Sequence, residues 1–176
     1  LNLNVPIKNG KITDDFRIKA VLPTIDYVKD HAKKVLIAAH LGRPEGRDKN
    51  FTLRPVGDYL KRIYGDRFSF LFDCIGDDVK QAVENAKDGT IILLENVRYH
   101  KGERKNNQAM GNALSQLADV FVNDAFGDSY EPYASVVWPP EFIPSAAGVR
   151  LQKEIEALER LKSSPKRPFI ALIGGV

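Results

Sequence analysis

The strongest constraint on the fold is a regular alternation of short apolar runs with segments of helical periodicity. The runs predict strands near residues 1–5, 34–39, 68–72, 90–95, 119–123 and 168–174. Between them, one helix is predicted to begin after a Thr13 cap, with Pro23 expected to kink or restart it, and another to begin after a Thr52 cap. Further helices are predicted over 77–86, 106–117 and 150–162. Strands without polar alternation that are separated by helices are typical of a parallel sheet covered on both faces.

We therefore expect an α/β fold: a three-layer α/β/α sandwich with a mainly parallel six-stranded sheet, of the Rossmann-like kind. The proline-rich stretch 136–144 is interpreted as an extended connection. A length of 176 residues suits one domain with its own core, so residues 1–176 are predicted to form a single domain. The chain begins at Leu1 without Met and stops just after a strand-like run, and we interpret it as a piece of a longer protein.

Composition excludes several classes of function. The net charge of +3 is small and the charges are spread, which does not favour a nucleic-acid partner. Cys74 is the single cysteine, so a disulfide framework or a thiolate metal cluster is excluded, and we interpret Cys74 as a small buried side chain in a reducing compartment. The apolar run at 35–39 is far too short to cross a bilayer, so no membrane partner is predicted.

Candidate ligand-binding residues follow from the rule that such sheets bind ligands at the carboxyl ends of their strands. The residues delivered there are Asn4, His40, Arg43, Arg98, Asn123 and Asp124, and the turn at 8–11 could fold Arg17 back to the same edge. Three arginines and a histidine on one rim indicate an anion site, since the planar guanidinium grips carboxylate or phosphate through two hydrogen bonds. Gly42 beside Arg43 would let the backbone approach a ligand closely.

Each of these residues also has a purely structural interpretation. Arg17 and Arg43 could be solvated surface residues, and His40 could be a satisfied structural histidine. Asn123 and Asp124 could only satisfy backbone groups in a turn. No nucleotide loop, zinc motif or nucleophile elbow is present, and no metal site is predicted. From the residues alone, the prediction stops at an anion-binding α/β domain.

Five segments, in this order, resemble phosphoglycerate kinase, specifically its N-terminal domain. They are NVPIKNGKITDDFRIKAVLPTI (4–25), AAHLGRPEG (38–46), IILLENVRYHKGE (91–103), LADVFVNDAFG (117–127) and RPFIALIGG (167–175). The resemblance implies the phosphoglycerate-binding half of a two-domain glycolytic enzyme. That enzyme moves a phosphoryl group between 1,3-bisphosphoglycerate and Mg-ADP to give 3-phosphoglycerate and ATP. Its partners would be 3-phosphoglycerate or 1,3-bisphosphoglycerate and its own C-terminal domain, and it would be a cytoplasmic monomer.

The resemblance also implies a role for each matching residue. Arg17 would be the catalytic cation and would also bind substrate, together with Asn2, Asn4, His40, Arg43 and Arg98. Mg-ATP or Mg-ADP would be bound by the C-terminal domain, which is missing from this chain. Within the chain, only Gly174 and Gly175 are candidates for a nucleotide contact, and turnover by the fragment alone is not expected.

Two places depart from the family pattern. The family has aspartate where Asn2 stands, and it continues after the VNDAFG block with His-Arg-x-His where this chain has Tyr130, Glu131, Pro132 and Tyr133. The arginine of that pattern helps to hold the substrate's phosphate, so Glu131 marks an altered phosphate clamp. One alternative is therefore a catalytically impaired relative that acts as an anion-binding or regulatory domain, and another is a fragment retained only as a folding unit.

Overall fold

The computed structural model describes residues 1–172 and residue 174. Its helices are α1 (Phe16–His31), α2 (Arg54–Tyr64), α3 (Asp77–Asn85), α4 (Lys101–Arg104), α5 (Gln108–Ser115), α6 (Ala134–Val137), α7 (Pro139–Phe142) and α8 (Val149–Ser163). Its strands are β1 (Ile7–Lys8), β2 (Lys11–Ile12), β3 (Val35–Ile37), β4 (Phe68–Phe70), β5 (Ile91–Leu93), β6 (Phe121–Asn123) and β7 (Ser145–Ala147). Within these residues, no helix is long and apolar enough to span a membrane.

The strands are mainly parallel. β5 lies between β3 and β4, with Ile91 opposite both Val35 and Phe68, and β6 pairs in parallel with β7. Only the hairpin of β1 and β2 is antiparallel in the described part of the chain. The α/β class with parallel strands is thus confirmed, but the strands described form sheets of two, three and two strands rather than one sheet of six.

Two apolar clusters lie on opposite faces of the central strand β5. Ile91 and Leu93 pack into the cluster that contains residues of α1 and α2, whereas Ile92 and Leu94 pack into the cluster that contains residues of α3 and α5. All four side chains are at most 1% exposed. Burial on both faces explains why this strand is apolar throughout, and it fixes the helices as layers above and below the sheet.

The first predicted strand, residues 1–5, is not a strand. Leu3 and Val5 are buried as a strand would bury them. However, the backbone amide of Val5 donates to the carbonyl of Leu3 at 2.8 Å, and that of Asn4 donates to the Asn2 side chain at 3.2 Å. These amides are satisfied locally, so they are not available to a neighbouring strand.

The last predicted strand and the proline-rich connection also differ from expectation. Residues 168–172 are not in a strand, and Ile170 and Leu172 are exposed. The predicted strand also includes Ile173, which lies outside the described residues, as do Gly175 and Val176. The stretch 136–144 contains the end of α6 and the whole of α7 instead of an extended chain. Proline is well suited to the first turn of a helix, where its missing amide would have no partner, and Pro139 begins α7.

The predicted helix starts were close but not correct in detail. Asp15 rather than Thr13 precedes α1, and the Thr13 hydroxyl donates to the carbonyl of Pro6 at 3.3 Å. α1 continues from Phe16 to His31 with Pro23 inside it. Leu53 precedes α2, although the Thr52 hydroxyl accepts a hydrogen bond from the Arg54 amide at 3.1 Å, as a capping residue would.

Candidate anion-binding site

Arg17 reaches the carboxyl edge of the sheet through the hairpin that precedes α1. The turn between β1 and β2 has left-handed backbone at Asn9 (φ 51°) and Gly10 (φ 71°), which reverses the chain in two residues. One guanidinium nitrogen of Arg17 then donates to the Asn2 side-chain oxygen at 3.1 Å and to the Asn4 carbonyl at 3.0 Å. The guanidinium is exposed but held in place, and the structure brings Arg17 to the segment that also carries Asn2 and Asn4.

The loop that follows β3 closes over Asn4. The side-chain oxygen of Asn4 accepts a hydrogen bond from the Gly42 amide at 2.9 Å. Gly42 has a left-handed backbone (φ 60°), and a Cβ atom there would overlap the ring of Phe51, so both conformation and space require glycine. Arg43 is exposed, and among the described residues its guanidinium forms no hydrogen bond or ion pair.

Arg98 is the buried cation of the site, at 6% exposure. It lies in a helical turn after β5, where its backbone amide donates a hydrogen bond to the Asn96 side-chain oxygen at 3.1 Å. Its guanidinium donates to the Gly42 carbonyl at 2.7 Å and lies over the ring of Tyr133, with Cζ 4.9 Å from the ring centroid. Nε is buried and has no hydrogen-bond partner among the described residues.

His40 is uncharged in this setting. Burial, and then the positive charge of Arg98, lower its pKa from 6.5 to about 3. Its Nε2 atom lies 3.8 Å from a carboxylate oxygen of Asp128. Because the imidazole is neutral near pH 7, this contact is polar rather than ionic, and His40 offers the site a neutral hydrogen-bonding group.

The acidic loop enters the site through Asp128, not through Glu131. Asp128 accepts a hydrogen bond from the Asn2 side chain at 3.0 Å, and its other oxygen lies 4.0 Å from a guanidinium nitrogen of Arg98. Glu131 is half-buried, and its side chain forms no hydrogen bond or ion pair with the described residues. Tyr130 is 78% exposed, whereas Tyr133 packs against Arg98. We call the set of Asn2, Asn4, Arg17, His40, Arg43, Arg98 and Asp128 the cationic rim.

Desolvation dominates the electrostatics of Asp128. Burial raises the pKa of this carboxyl above its ordinary value, and the charge of Glu131 acts in the same direction. Arg98 and Arg17 act in the opposite direction but do not outweigh the burial. Sequence reasoning missed the importance of Asp128 because its placement depends on the conformation of the loop and on no motif.

Two other acids near the rim have structural roles. Asp124 is fully buried, and one of its carboxylate oxygens accepts hydrogen bonds from the backbone amides of Arg150 and Leu151 at 2.8 and 2.9 Å. It therefore caps the first turn of α8, which is distant in sequence, rather than satisfying backbone groups in its own turn. Asn123 bonds within its own turn, to the Ala125 amide at 3.0 Å. Glu103, which the sequence did not single out, is 2% exposed. Its carboxylate accepts hydrogen bonds from the amide and the hydroxyl of Ser135, and burial raises its pKa.

A separate group of metal-ligand types lies at Asp73, Cys74 and His100, whose donor atoms are within 4.8 Å of one another. The sequence predicted no metal site, and it gave no sign that His100 would meet the other two. The Asp73 carboxylate already accepts hydrogen bonds from His100 at 2.6 Å and Arg47 at 2.8 Å. Cys74 is buried as predicted, and burial raises the pKa of its thiol, which keeps the thiol protonated. We interpret the group as a hydrogen-bonded link between two loops.

The fold and the rim together define an α/β domain that presents cations and neutral hydrogen-bonding groups at the carboxyl ends of parallel strands, where such domains hold anionic ligands. The family model described as phosphoglycerate kinase matches residues 1–176. The chain therefore belongs to the phosphoglycerate kinase family, and it corresponds to the family's N-terminal domain.

Relatives with known names agree with this assignment. The chain is 44% identical over 175 residues to a phosphoglycerate kinase of Dictyoglomus turgidum and 45% identical over 177 residues to one of Pseudothermotoga lettingae. Each match covers 99% of this chain but only 44% and 45% of the relative, so the chain spans less than half of their length.

Solved structures agree as well. The phosphoglycerate kinase of Coxiella burnetii superposes with a TM-score of 0.83 at 37% identity, covering 95% of this chain and 42% of that one. The phosphoglycerate kinase of Pyrococcus horikoshii gives a TM-score of 0.85 at 32% identity, covering 96% and 43%.

Proposed function

We propose that this chain is the phosphoglycerate-binding half of a phosphoglycerate kinase. Residues 1–176 form one domain, and a C-terminal domain beyond this chain holds the nucleotide. The whole enzyme transfers a phosphoryl group between 1,3-bisphosphoglycerate and Mg-ADP, giving 3-phosphoglycerate and ATP, and works as a monomer in the cytoplasm. The observation that carries the proposal is a chain of direct hydrogen bonds in a member of this family. Arg17 donates to Asn2 and Asn4, Asn4 accepts from the Gly42 amide, and Arg98 donates to the Gly42 carbonyl.

The three arginines suit different parts of the reaction. Arg98 is buried and fixed by the Gly42 carbonyl and the Tyr133 ring, so it provides a rigid positive charge for a phosphate or carboxylate. Arg43 is exposed and lies in the loop beside it, where it can close on the ligand. Arg17 is the proposed catalytic cation: it is held at the open face of the rim and can stabilise negative charge on the phosphoryl group during transfer. Phosphoryl transfer depends on positioning and charge neutralisation of this kind.

The rim does not provide a site for the Mg²⁺ ion that accompanies the nucleotide. The rim contains three arginines, and their positive charges would repel a divalent cation. Among the glycines considered for a nucleotide contact, Gly174 is exposed with open space around it, and Gly175 lies outside the described residues. We therefore assign Mg-ATP and Mg-ADP to the second domain, where the metal would neutralise charge on the nucleotide phosphates. Closure of the two domains would then bring the substrates together and exclude water.

Calorimetric titration of the full-length protein with 3-phosphoglycerate tests the proposal. Arg43→Gln is the main variant, since it removes a rim charge from a side chain that has no described partner. A hydrogen bond to a charged group contributes about 1.5–3 kcal/mol, which corresponds to a loss of roughly 10- to 100-fold in affinity.

Arg47→Gln is the matched control, because Arg47 lies in the same loop but its guanidinium binds Asp73 and the Phe72 carbonyl. We expect its affinity to stay close to that of the wild-type protein. Absence of binding by the wild-type protein, or equal losses in both variants, would contradict the proposed function. A coupled assay of ATP formation then tests turnover separately from binding.

A further inference from the structure

Asp128 is an acid placed inside a site built from cations. It lies at the end of the helical turn 126–128, where its backbone amide donates a hydrogen bond to the Ala125 carbonyl at 2.9 Å. The side chain is 16% exposed. Asp128 is therefore within reach of a small ligand but largely removed from bulk water.

One carboxylate oxygen of Asp128 is occupied and the other is not. The first accepts the Asn2 amide nitrogen at 3.0 Å. The second lies 3.8 Å from His40 and 4.0 Å from Arg98, and both distances are too long for hydrogen bonds. Among the described residues, no donor lies within hydrogen-bonding distance of this second oxygen. A carboxylate has only acceptor capacity when it is ionised, so the rim contains an open acceptor beside its buried cation.

The chemistry of that acceptor limits what can bind next to it. A phosphate or carboxylate group of a ligand would be attracted to the arginines and repelled by Asp128. A hydroxyl group would instead donate a hydrogen bond to the free oxygen. The arrangement thus fits a ligand that carries an anionic group and a neighbouring hydroxyl group, and it disfavours a second anionic group at the position of the hydroxyl.

We propose that Asp128 is a specificity-determining residue of the cationic rim, which accepts a hydrogen bond from a ligand hydroxyl while the arginines bind the anionic groups. This inference rests on the proposed function, in which the ligand is 3-phosphoglycerate. The hydroxyl in question is then the one on the carbon between the carboxylate and the phosphate-bearing carbon. Asn2 supports the role by holding the other oxygen of Asp128 in place.

The alternative is that Asp128 only repels the ligand. In that case the acid would lower the affinity for every anion equally, and it would not discriminate between a hydroxylated ligand and its deoxy analogue. The two roles therefore differ in the ratio of two affinities rather than in either affinity alone. This ratio is insensitive to a general disturbance of the loop, because such a disturbance weakens the binding of both ligands to a similar extent.

The test is calorimetric titration of the full-length protein with 3-phosphoglycerate and with 3-(phosphonooxy)propionate, the same phosphate ester without the hydroxyl group. We expect the wild-type protein to bind 3-phosphoglycerate about 10-fold more tightly or better, the usual effect of one charge-assisted hydrogen bond. Asp128→Ala is expected to bring the two affinities within about twofold, a difference of roughly 0.4 kcal/mol. Asp119→Asn, an exposed acid just before β6, is the control for the change in charge and should keep the wild-type ratio.

Other outcomes separate the possible errors. If Asp128→Ala binds both ligands more tightly with an unchanged ratio, the acid only repels anions and the inference is wrong. If the wild-type protein binds both ligands equally, the inference is wrong but the proposed function stands. If the wild-type protein binds neither ligand, the proposed function fails first and this inference fails with it.

Discussion

Replacing His40 with glutamine is expected to change how stability depends on pH. His40 is buried, and its pKa in the folded protein is lowered from 6.5 to about 3, first by burial and then by Arg98. Between these two values the unfolded chain binds a proton at His40 that the folded chain does not. The free energy of unfolding of the wild-type chain therefore falls as the pH decreases from 6.5 toward 3.

The size of the effect follows from the shift. Each pH unit below 6.5 lowers the free energy of unfolding of the wild-type chain by about 1.4 kcal/mol. At about pH 5 the wild-type chain has therefore lost roughly 2 kcal/mol of stability that the His40→Gln variant has not lost. The charged groups around the imidazole are Arg98, the amino group of Leu1, Arg17, Arg43 and Asp128, and all are present in both proteins. Comparison of the two proteins therefore isolates the contribution of His40.

Urea unfolding of both proteins at several pH values measures this difference. We expect the two stability curves to run parallel above about pH 7, where the histidine is neutral in both states, and to converge or cross at lower pH because only the wild-type chain loses stability through this group. A constant difference from neutral pH down to about pH 4.5 would refute the reasoning, since it would mean that His40 takes up its proton in the folded state as easily as in the unfolded state.

Three further predictions concern the acids of the rim and its neighbour. Asp124→Ala leaves the buried cap of α8 without its acceptor, and thermal unfolding should show a loss of about 3 kcal/mol or more. Glu131→Arg should strengthen binding of 3-phosphoglycerate about tenfold at low salt by calorimetry; an unchanged affinity would mean that this side chain faces away from the ligand. Asp128→Asn should unfold at an equal or higher urea concentration than wild type at pH 7, since burial disfavours the charged carboxylate; a clear loss would indicate a structural ion pair.

The core was predictable because its chemistry is local and repetitive. β3 and β5 are apolar throughout, as expected of strands buried on both faces, and β4 departs from this pattern only at Ser69. β7 could not be predicted from Ser145, Ala146 and Ala147, which carry neither bulk nor branching. Its pairing with β6 depends on the chain path through α7, which no local pattern encodes.

The cationic rim was predictable to the extent that strand ends determine it. His40 and Arg98 lie in the loops that follow β3 and β5, and neighbouring parallel strands deliver these loops to one edge of the sheet. Arg17 depended on the turn at 8–11, whose Asn-Gly pair favours the reversal that the structure shows. The contact between Asn2 and Asp128 joins residues 126 positions apart, so it is a property of the folded loop and left no sign in the sequence.

The position of Asp128 changes the meaning of the acidic loop. Glu131 attracted attention as a reversed charge, yet the structure leaves it without a partner among the described residues and places Asp128 among the cations. A carboxylate whose burial outweighs its attraction to nearby arginines does not stabilise the fold in its charged form. Groups with perturbed pKa values cluster at functional sites. The acid is thus better explained by what it offers a ligand than by what it contributes to the folded chain, and the affinity ratio of two ligands that differ in one hydroxyl measures that contribution directly.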